Sequence, residues 1–343
     1  MASKPDIAMA SIVRVRFIFL SCFLAFFGRR RRRCQKSASA GPLFQPDISS
    51  AARCSGCRTL PARTDRPKRG AMSEDGFSLS PPRERLSLPN VTLCAVSSSN
   101  VAATIEAMEA SLAQASFGEA ILFTDADTRA IRAVMHPDLR VVRIDRIGSS
   151  AAYSQFVLTQ MVDHVRTSHC LIVQWDGHVI DGGRWQQEFL DYDYIGARWP
   201  QFDDGRDVGN GGFSLRSRRL MEACRAPEFA PHHPEDLAIC RTNRGLLEGM
   251  GLRFAPAALA DRFSAERAGD PATSFGYHGV FLMPRVLGAD RFWRIYRTLD
   301  ERSSLWRDFS DIVKALRSGP SPALRSLRMA ANRVIDFAFS HTR

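Results

Sequence analysis

The sequence predicts an α/β protein in which a mixed, largely parallel sheet is flanked by helices and followed by a helical C-terminal tail. Three observations predict it. From Leu88 onward, short runs of near-continuous apolar residues alternate with stretches of helical apolar spacing, and strands without a polar face belong to sheets covered on both sides. The runs end abruptly in small or acidic residues, as in "VSS", "TDAD" and "QWDG". From Ala289 the pattern is helical and rich in arginine.

The elements follow in order. "VTLCAVSS" (91–98) is a strand closing on Ser97 and Ser98, and "VAATIEAMEASLAQA" (101–115) is a helix with Asn100 as its N-cap. "EAILFTDAD" (119–127) and "LRVVRID" (139–145) are the second and third strands. A serine opens the helix "SSAAYSQFVLTQMVDHV" (149–165), which leads into the strand "CLIVQWDG" (170–177). "YDYIGARW" (192–199) and "VGNGGFSLRS" (208–217) are strand-like, while "SRRLMEACRA" (217–226) and "PEDLAICRTNRGLLEGMG" (234–251) are helical. "HGVFLM" (278–283) is a late apolar run, and "DFSDIVKALRSG" (308–319) is a helix closed by glycine. The expected organisation is a disordered basic extension over 1–71, an α/β domain over 88–290 and a helical extension over 291–343.

Charge is divided along the 343 residues. The net +11 resides in the first 70, where fifteen Lys and Arg meet three acids; residues 71–343 carry 32 basic and 33 acidic side chains. The body therefore offers no bulk attraction for nucleic acid. The extension contains an apolar run, Phe17–Gly28, followed by five arginines. That run is shorter than the roughly 20 residues of a membrane span, and its charge lies on the wrong side for a secretory signal. Met72 stands just before the patterned region and is an alternative translation start. Cys94, Cys170, Cys224 and Cys240 are widely spaced and read as buried free thiols of a reducing compartment. Cys54 and Cys57 lack a second pair at zinc spacing. The expected location is cytoplasmic, with peripheral contact at the inner face of the membrane left open through the arginine-rich C-terminal helices.

In parallel sheets ligands bind beyond the carboxyl ends of the strands, so the polar residues there are the candidates. Gln174 and Asp176, two apart, would project to one side of an extended strand, with Trp175 and Gly177 between and after them. They would face a ligand or a divalent cation; the alternative is that Asp176 caps a turn. Asp125 and Asp127 have the same spacing and are a rival site. Gly209, Gly211 and Gly212 around Asn210 allow close approach of backbone to a substrate, or form a bulged turn. Arg216 could pair with a phosphate or an acid. Glu235 and Asp236 open a helix behind Pro234, where acids complement the helix dipole or serve as a general base. His278 is either structural or a metal or diphosphate ligand. Trp175, Tyr192, Tyr194 and Trp199 are candidates for stacking on base or sugar rings, or for the core.

These pieces together resemble a nucleotide-sugar glycosyltransferase with the GT-A fold. More narrowly, residues from about 88 to 290 are similar to an uncharacterised bacterial domain family placed near those enzymes, which carries Q-x-D-G, G-N-G-G-F-S-L-R and P-E-D segments. The resemblance implies a nucleotide-binding half containing Ser97 and Asp125. It places Gln174 and Asp176 at the positions of an Asp-x-Asp motif that holds Mn2+ or Mg2+ on a sugar-nucleotide diphosphate. Trp175, Gly177, Asn210, Gly211 and Gly212 would complete the donor site, with Glu235 or Asp236 as base and His278 as a late metal ligand. Gln174 stands where the motif has its first aspartate, which weakens the case for a cation. The implied reaction is sugar transfer, with inversion, to a hydroxyl of a glycan or lipid-linked acceptor. A catalytically silent carbohydrate-binding or scaffold protein of the same fold, and a sugar-nucleotide hydrolase, are the alternatives. Donor sugar, linkage and oligomeric state have no signature in the residues.

Overall fold

The computed structural model describes residues 85–127, 129 and 135–340. The extension 1–71, with its apolar run, Cys54, Cys57 and the start at Met72 just beyond it, lies outside the described residues.

Among the described residues, nine strands build two sheets. β1 (Leu86–Val96), β2 (Ala115–Thr124), β3 (Leu139–Arg143) and β4 (His169–Val173) are mutually parallel. β5 (His178–Val179) leaves for a second sheet, and β6 (Tyr194–Ile195) and β7 (Phe213–Ser217) return to the first, with β7 antiparallel to both β4 and β6. β8 (Ser264–Ala265) and β9 (Gly276–Tyr277) complete the second. The strand orders are β3-β2-β1-β4-β7-β6 and β5-β9-β8. Every residue of β4 is buried, as are Val91 to Val96 of β1, in keeping with their unbroken apolar runs. The chain builds outward from β1 to β3 and then crosses back to β4, so the strand order diverges between β1 and β4. In open sheets of this kind ligands bind beyond the carboxyl ends of the strands at such a divergence.

Helix α1 (Val101–Gln114) buries Ile105, Met108 and Leu112, one stripe at helical spacing. Asn100 precedes it but does not cap it with its side chain. Instead its Oδ1 accepts from the backbone N–H groups of Asp300 and Glu301, 3.1 Å each, and its Nδ2 donates to the Glu301 carbonyl. The amide that the sequence suggests for a cap is spent on holding the C-terminal segment. Ser149 does cap α2 (Ser150–Thr159), accepting from Ala152 N–H at 3.1 Å. α3 (Arg218–Ala223) follows β7 directly. The single helix expected over 234–251 is broken into α4 (Glu235–Leu237), a π turn over Ala238–Thr242, and α5 (Arg244–Gly249). α6 (Ala257–Phe263) leads into β8. The tail is helical as expected: α7 (Met283–Val286), α8 (Ala289–Thr298), α9 (Ser303–Arg307), α10 (Phe309–Ala315) and α11 (Pro322–Ser340). Cys94, Cys170, Cys224 and Cys240 are free and buried.

The two sheets are joined by an aromatic cluster. Phe263 lies with ring centroids 5.2 Å from both Phe189 and Phe213 and 5.9 Å from Phe275, and all four are fully buried. Phe213 opens β7 and Phe275 precedes β9, so this contact sets the second sheet against the end of the first. Replacing Phe263 with Ala removes the centre of the cluster and is expected to cost about 3–5 kcal/mol of stability. Chemical denaturation of the variant measures it.

Candidate functional site

β4 ends at Val173, and Gln174 to Gly177 form a turn closed by Gly177 N–H to the Gln174 carbonyl, 3.1 Å. Gln174 and Asp176 are therefore turn residues rather than neighbours along an extended strand. They nonetheless meet at one place because β9 delivers His278 to it. A Cβ at Gly177 would lie 2.6 Å from the Tyr277 carbonyl oxygen, so only glycine lets the turn approach β9 this closely. The His278 Nε2 is 3.4 Å from Asp176 Oδ1 and 3.3 Å from Gln174 Oε1. Gln174 in turn donates from Nε2 to the Tyr153 hydroxyl, 3.0 Å, which aims its carbonyl oxygen at His278. Behind the imidazole, Nδ1 faces Glu266 Oε1 at 3.6 Å.

His278 thus lies, mostly shielded from solvent, between two carboxylates at ion-pair distance. Burial alone would lower its pKa, but the charge of Asp176, then that of Glu266, reverses the effect and holds the imidazole well above its ordinary value. Burial also raises the Tyr153 phenol, which stays neutral. Asp176 Oδ1, Glu266 Oε2 and His278 Nδ1 are buried with no hydrogen-bond partner. Such orphaned atoms in a native site ask for a missing group. Among the described residues no three His, Cys, Asp or Glu side chains converge as a cation cage. Asp176 Oδ1, Gln174 Oε1 and His278 Nε2 do present a carboxylate, an amide oxygen and an imidazole to one space. That set fits a Mn2+ or Mg2+ that takes its remaining ligands from a diphosphate, with Glu266 as the carboxylate behind a ligating histidine.

A second group lies beside the first. Glu235 is buried and engaged: its Oε1 accepts from Arg216 Nη2 at 3.0 Å and its Oε2 from Ser154 Oγ at 3.2 Å. Arg216 therefore pairs with an acid of its own chain. Asp236, next in sequence, accepts from Gly211 N–H at 3.1 Å and from Leu237 N–H at 2.8 Å and has no cationic partner of its own. Burial, then the Glu235 charge, raises its pKa above the ordinary aspartate value.

The glycine segment links the groups. A Cβ at Gly212 would lie 2.0 Å from His278 Nε2, and one at Gly211 would lie 2.4 Å from Glu235 Oε1. The room these glycines leave is filled by the protein's own side chains. Asn210 has φ 36° and accepts from Gly212 N–H at 3.2 Å, the geometry of a polar turn.

Other candidates lie apart. Ser97 Oγ donates to the Ser99 carbonyl and accepts from Thr104 Oγ1, closing the loop after β1. Asp125 is half-buried at the end of β2, whereas Asp127 is exposed and bonds Arg129 N–H. Tyr194 and Trp199 are core residues; Tyr192 sits at the opposite end of β4, its carbonyl against His169; Trp175 packs half-buried on the C-terminal helices. Glu266 and Tyr153 were not visible as candidates in the sequence. Tyr153 had one signal, its place in the first turn of a helix that starts at the carboxyl end of the sheet. Glu266, in "SAERAG", had none.

A family model described as "Protein of unknown function (DUF5672)" matches residues 138–278. The match spans Tyr153, the Gln174 turn, the glycine segment, Glu235, Asp236, Glu266 and His278. No curated protein matches the chain. Among solved structures, the chain is similar to mannosyltransferase PcManGT from Pyrobaculum calidifontis in complex with GDP-Man and Mn2+, at 14% identity and TM-score 0.37, over 74% of this chain and 84% of that one. It is also similar to a homologue of a Mycobacterium tuberculosis protein from mycobacterium sp. strain JC1, at 11% identity and TM-score 0.32, over 49% and 84% of the two chains.

Replacing Arg216 with Met leaves Glu235 as an uncompensated buried charge and is expected to destabilise the protein by about 3–5 kcal/mol. Adding Glu235→Gln to that variant should restore much of the loss, a non-additivity that urea denaturation of the single and double variants detects.

Proposed function

We propose that the chain is a glycosyltransferase that moves a sugar from a nucleotide-diphosphate donor to a hydroxyl of a glycan or lipid-linked acceptor. The observation that carries this reading is the convergence of Asp176 Oδ1, Gln174 Oε1 and His278 Nε2 at the end of β4, where the strand order diverges. The motif resemblance over the same residues supports it.

Asp176, the Gln174 carbonyl and, on losing its proton, His278 would hold Mn2+ or Mg2+. Bound there, the cation supplies positive charge against the diphosphate that departs. Asp236 takes the proton of the acceptor hydroxyl. As the acceptor oxygen bonds to the anomeric carbon, the bond from that carbon to the phosphate oxygen breaks and its electron pair leaves with the diphosphate. Attack opposite the leaving group inverts the configuration. Glu235 is a positioning residue in this scheme, because its charge is already paired with the Arg216 guanidinium, whereas Asp236 accepts only from backbone N–H groups. The raised pKa suits Asp236 to the role, since a more basic carboxylate accepts a proton more readily than an ordinary aspartate.

One observation favours the silent reading. His278 held as an imidazolium between Asp176 and Glu266 already neutralises the site, and Gln174 adds no charge. The two readings separate on incubating the full chain with a panel of sugar nucleotides and Mn2+, with and without glycan acceptors. Acceptor-dependent release of nucleoside diphosphate is expected. Release without acceptor indicates the hydrolase, and no release or binding of any donor defeats both enzymatic readings.

Two variants refine the assignment. Asp236→Asn should lower kcat about a hundredfold or more while leaving donor KM near wild type. In the wild type, kcat/KM should fall as pH drops through the raised pKa of Asp236, because the protonated carboxyl cannot accept; the acid limb then lies above the ordinary carboxylate range. Asp176→Asn should weaken Mn2+ binding in titration calorimetry by about tenfold or more, independently of turnover.

A further inference from the structure

Helix α11 (Pro322–Ser340) is turned inside out relative to an ordinary surface helix. Its polar side chains face the body. Asn332 Nδ2 donates to the Tyr296 hydroxyl at 2.7 Å, Arg302 Nε and Nη2 donate to the two Asp336 carboxylate oxygens at 3.0 and 2.8 Å, and Arg325 Nη1 donates to the Ala289 carbonyl at 3.1 Å. Met329, 0% exposed, is its fully buried side chain. The outward face carries Leu324 (67% exposed), Leu327 (50%), Val334 (36%) and Ile335 (50%), with exposed Ala331 and Ala338 between and beyond them. Spacings of three and four residues put these on one stripe along the helix. Arg328, also exposed, lies at its edge.

An apolar stripe of this length facing water needs a covering surface. Charge discriminates among the candidates. Residues 291–343 carry eleven Lys and Arg against five acids, while residues 71–290 carry 21 against 28. A second copy of the chain would bring the same positive tail face to face with this one. The N-terminal segment, with fifteen basic residues against three acids over the first 70, is also repelled. A surface that is apolar within and anionic at its boundary matches both properties. We propose that α11 lies in the interface of an anionic lipid bilayer, its Leu and Ile stripe at the acyl boundary and Arg328 among the headgroups. Among the described residues no helix is long and apolar enough to cross a membrane, so the contact is one of lying on the surface. The proposal is independent of the reaction assigned above.

Co-sedimentation of the full chain with vesicles tests it. Binding to phosphatidylcholine vesicles containing phosphatidylglycerol is expected, with weaker binding to phosphatidylcholine alone and a decline as salt is raised. Leu327→Asp with Ile335→Asp should reduce binding about tenfold or more without lowering the melting temperature, because both side chains already face solvent. Arg328→Glu, which leaves the stripe intact, should weaken binding to the anionic vesicles only. Wild-type protein that stays in the supernatant overturns the proposal, whether light scattering finds it monomeric or as a dimer that the stripe variant dissolves. Equal vesicle binding by wild type and the stripe variant also overturns it, since another segment then carries the contact.

Discussion

A guanidinium that is 1% exposed governs the arrangement of the acidic half of the site. Burying Arg216 in the sheet is tolerable only with a counter-charge at hydrogen-bond distance, and Glu235 is that charge. The requirement fixes the start of α4 against β7, and Ser154, which bonds Glu235, brings α2 to the same point. Once Glu235 is held, Asp236 has one direction left and meets the Gly211 N–H. Desolvation there, and then the neighbouring Glu235 charge, raise its pKa. Two adjacent acids thus acquire different properties, Glu235 buried and paired with Arg216, Asp236 half-buried, without a cationic partner and raised in pKa.

The second half of the site depends on apolar packing rather than charge. Phe213, Phe263, Phe275 and Phe189 hold the small sheet against the large one, and β9 then sets His278 over the turn that ends β4. Asp176 and Glu266 are thereby placed at ion-pair distance from the two ring nitrogens of His278. Their mutual attraction is strong enough to outweigh the burial of His278. It is not fully satisfied by hydrogen bonds, since an oxygen of each carboxylate remains unpaired. A site in this condition is polarised toward a further cation or a ligand bearing donors.

The parallel sheet was legible because β1, β2 and β4 are buried on both faces and read as unbroken apolar runs. The meeting of Gln174, Asp176 and His278 was legible only through motif resemblance, and its geometry was misread: the residues belong to a turn, and side-chain alternation along a strand does not describe them. Glu266 was invisible because its role comes from β8 lying parallel to β9, a pairing between two-residue strands that leaves no periodicity. Asn100 shows the opposite error. A residue of the right type in the right place was claimed by a tertiary contact some 200 positions away.

The orientation of α11 exposes the same gap between pattern and placement. Helical periodicity states that a stripe of Leu, Val and Ile exists, and the habit of globular proteins assigns that stripe to the core. What decides the matter here is the other face, where Asn332, Arg325 and Asp336 each find a specific polar partner on α8 or on the loop that follows it. Those bonds are directional and the apolar stripe is not, so the helix takes the rotation that satisfies them and leaves the stripe to solvent. Such a choice costs little only if something else covers the stripe. The tail is basic and the body slightly acidic, so an anionic surface would attract the segment that carries the stripe and not the rest of the described chain.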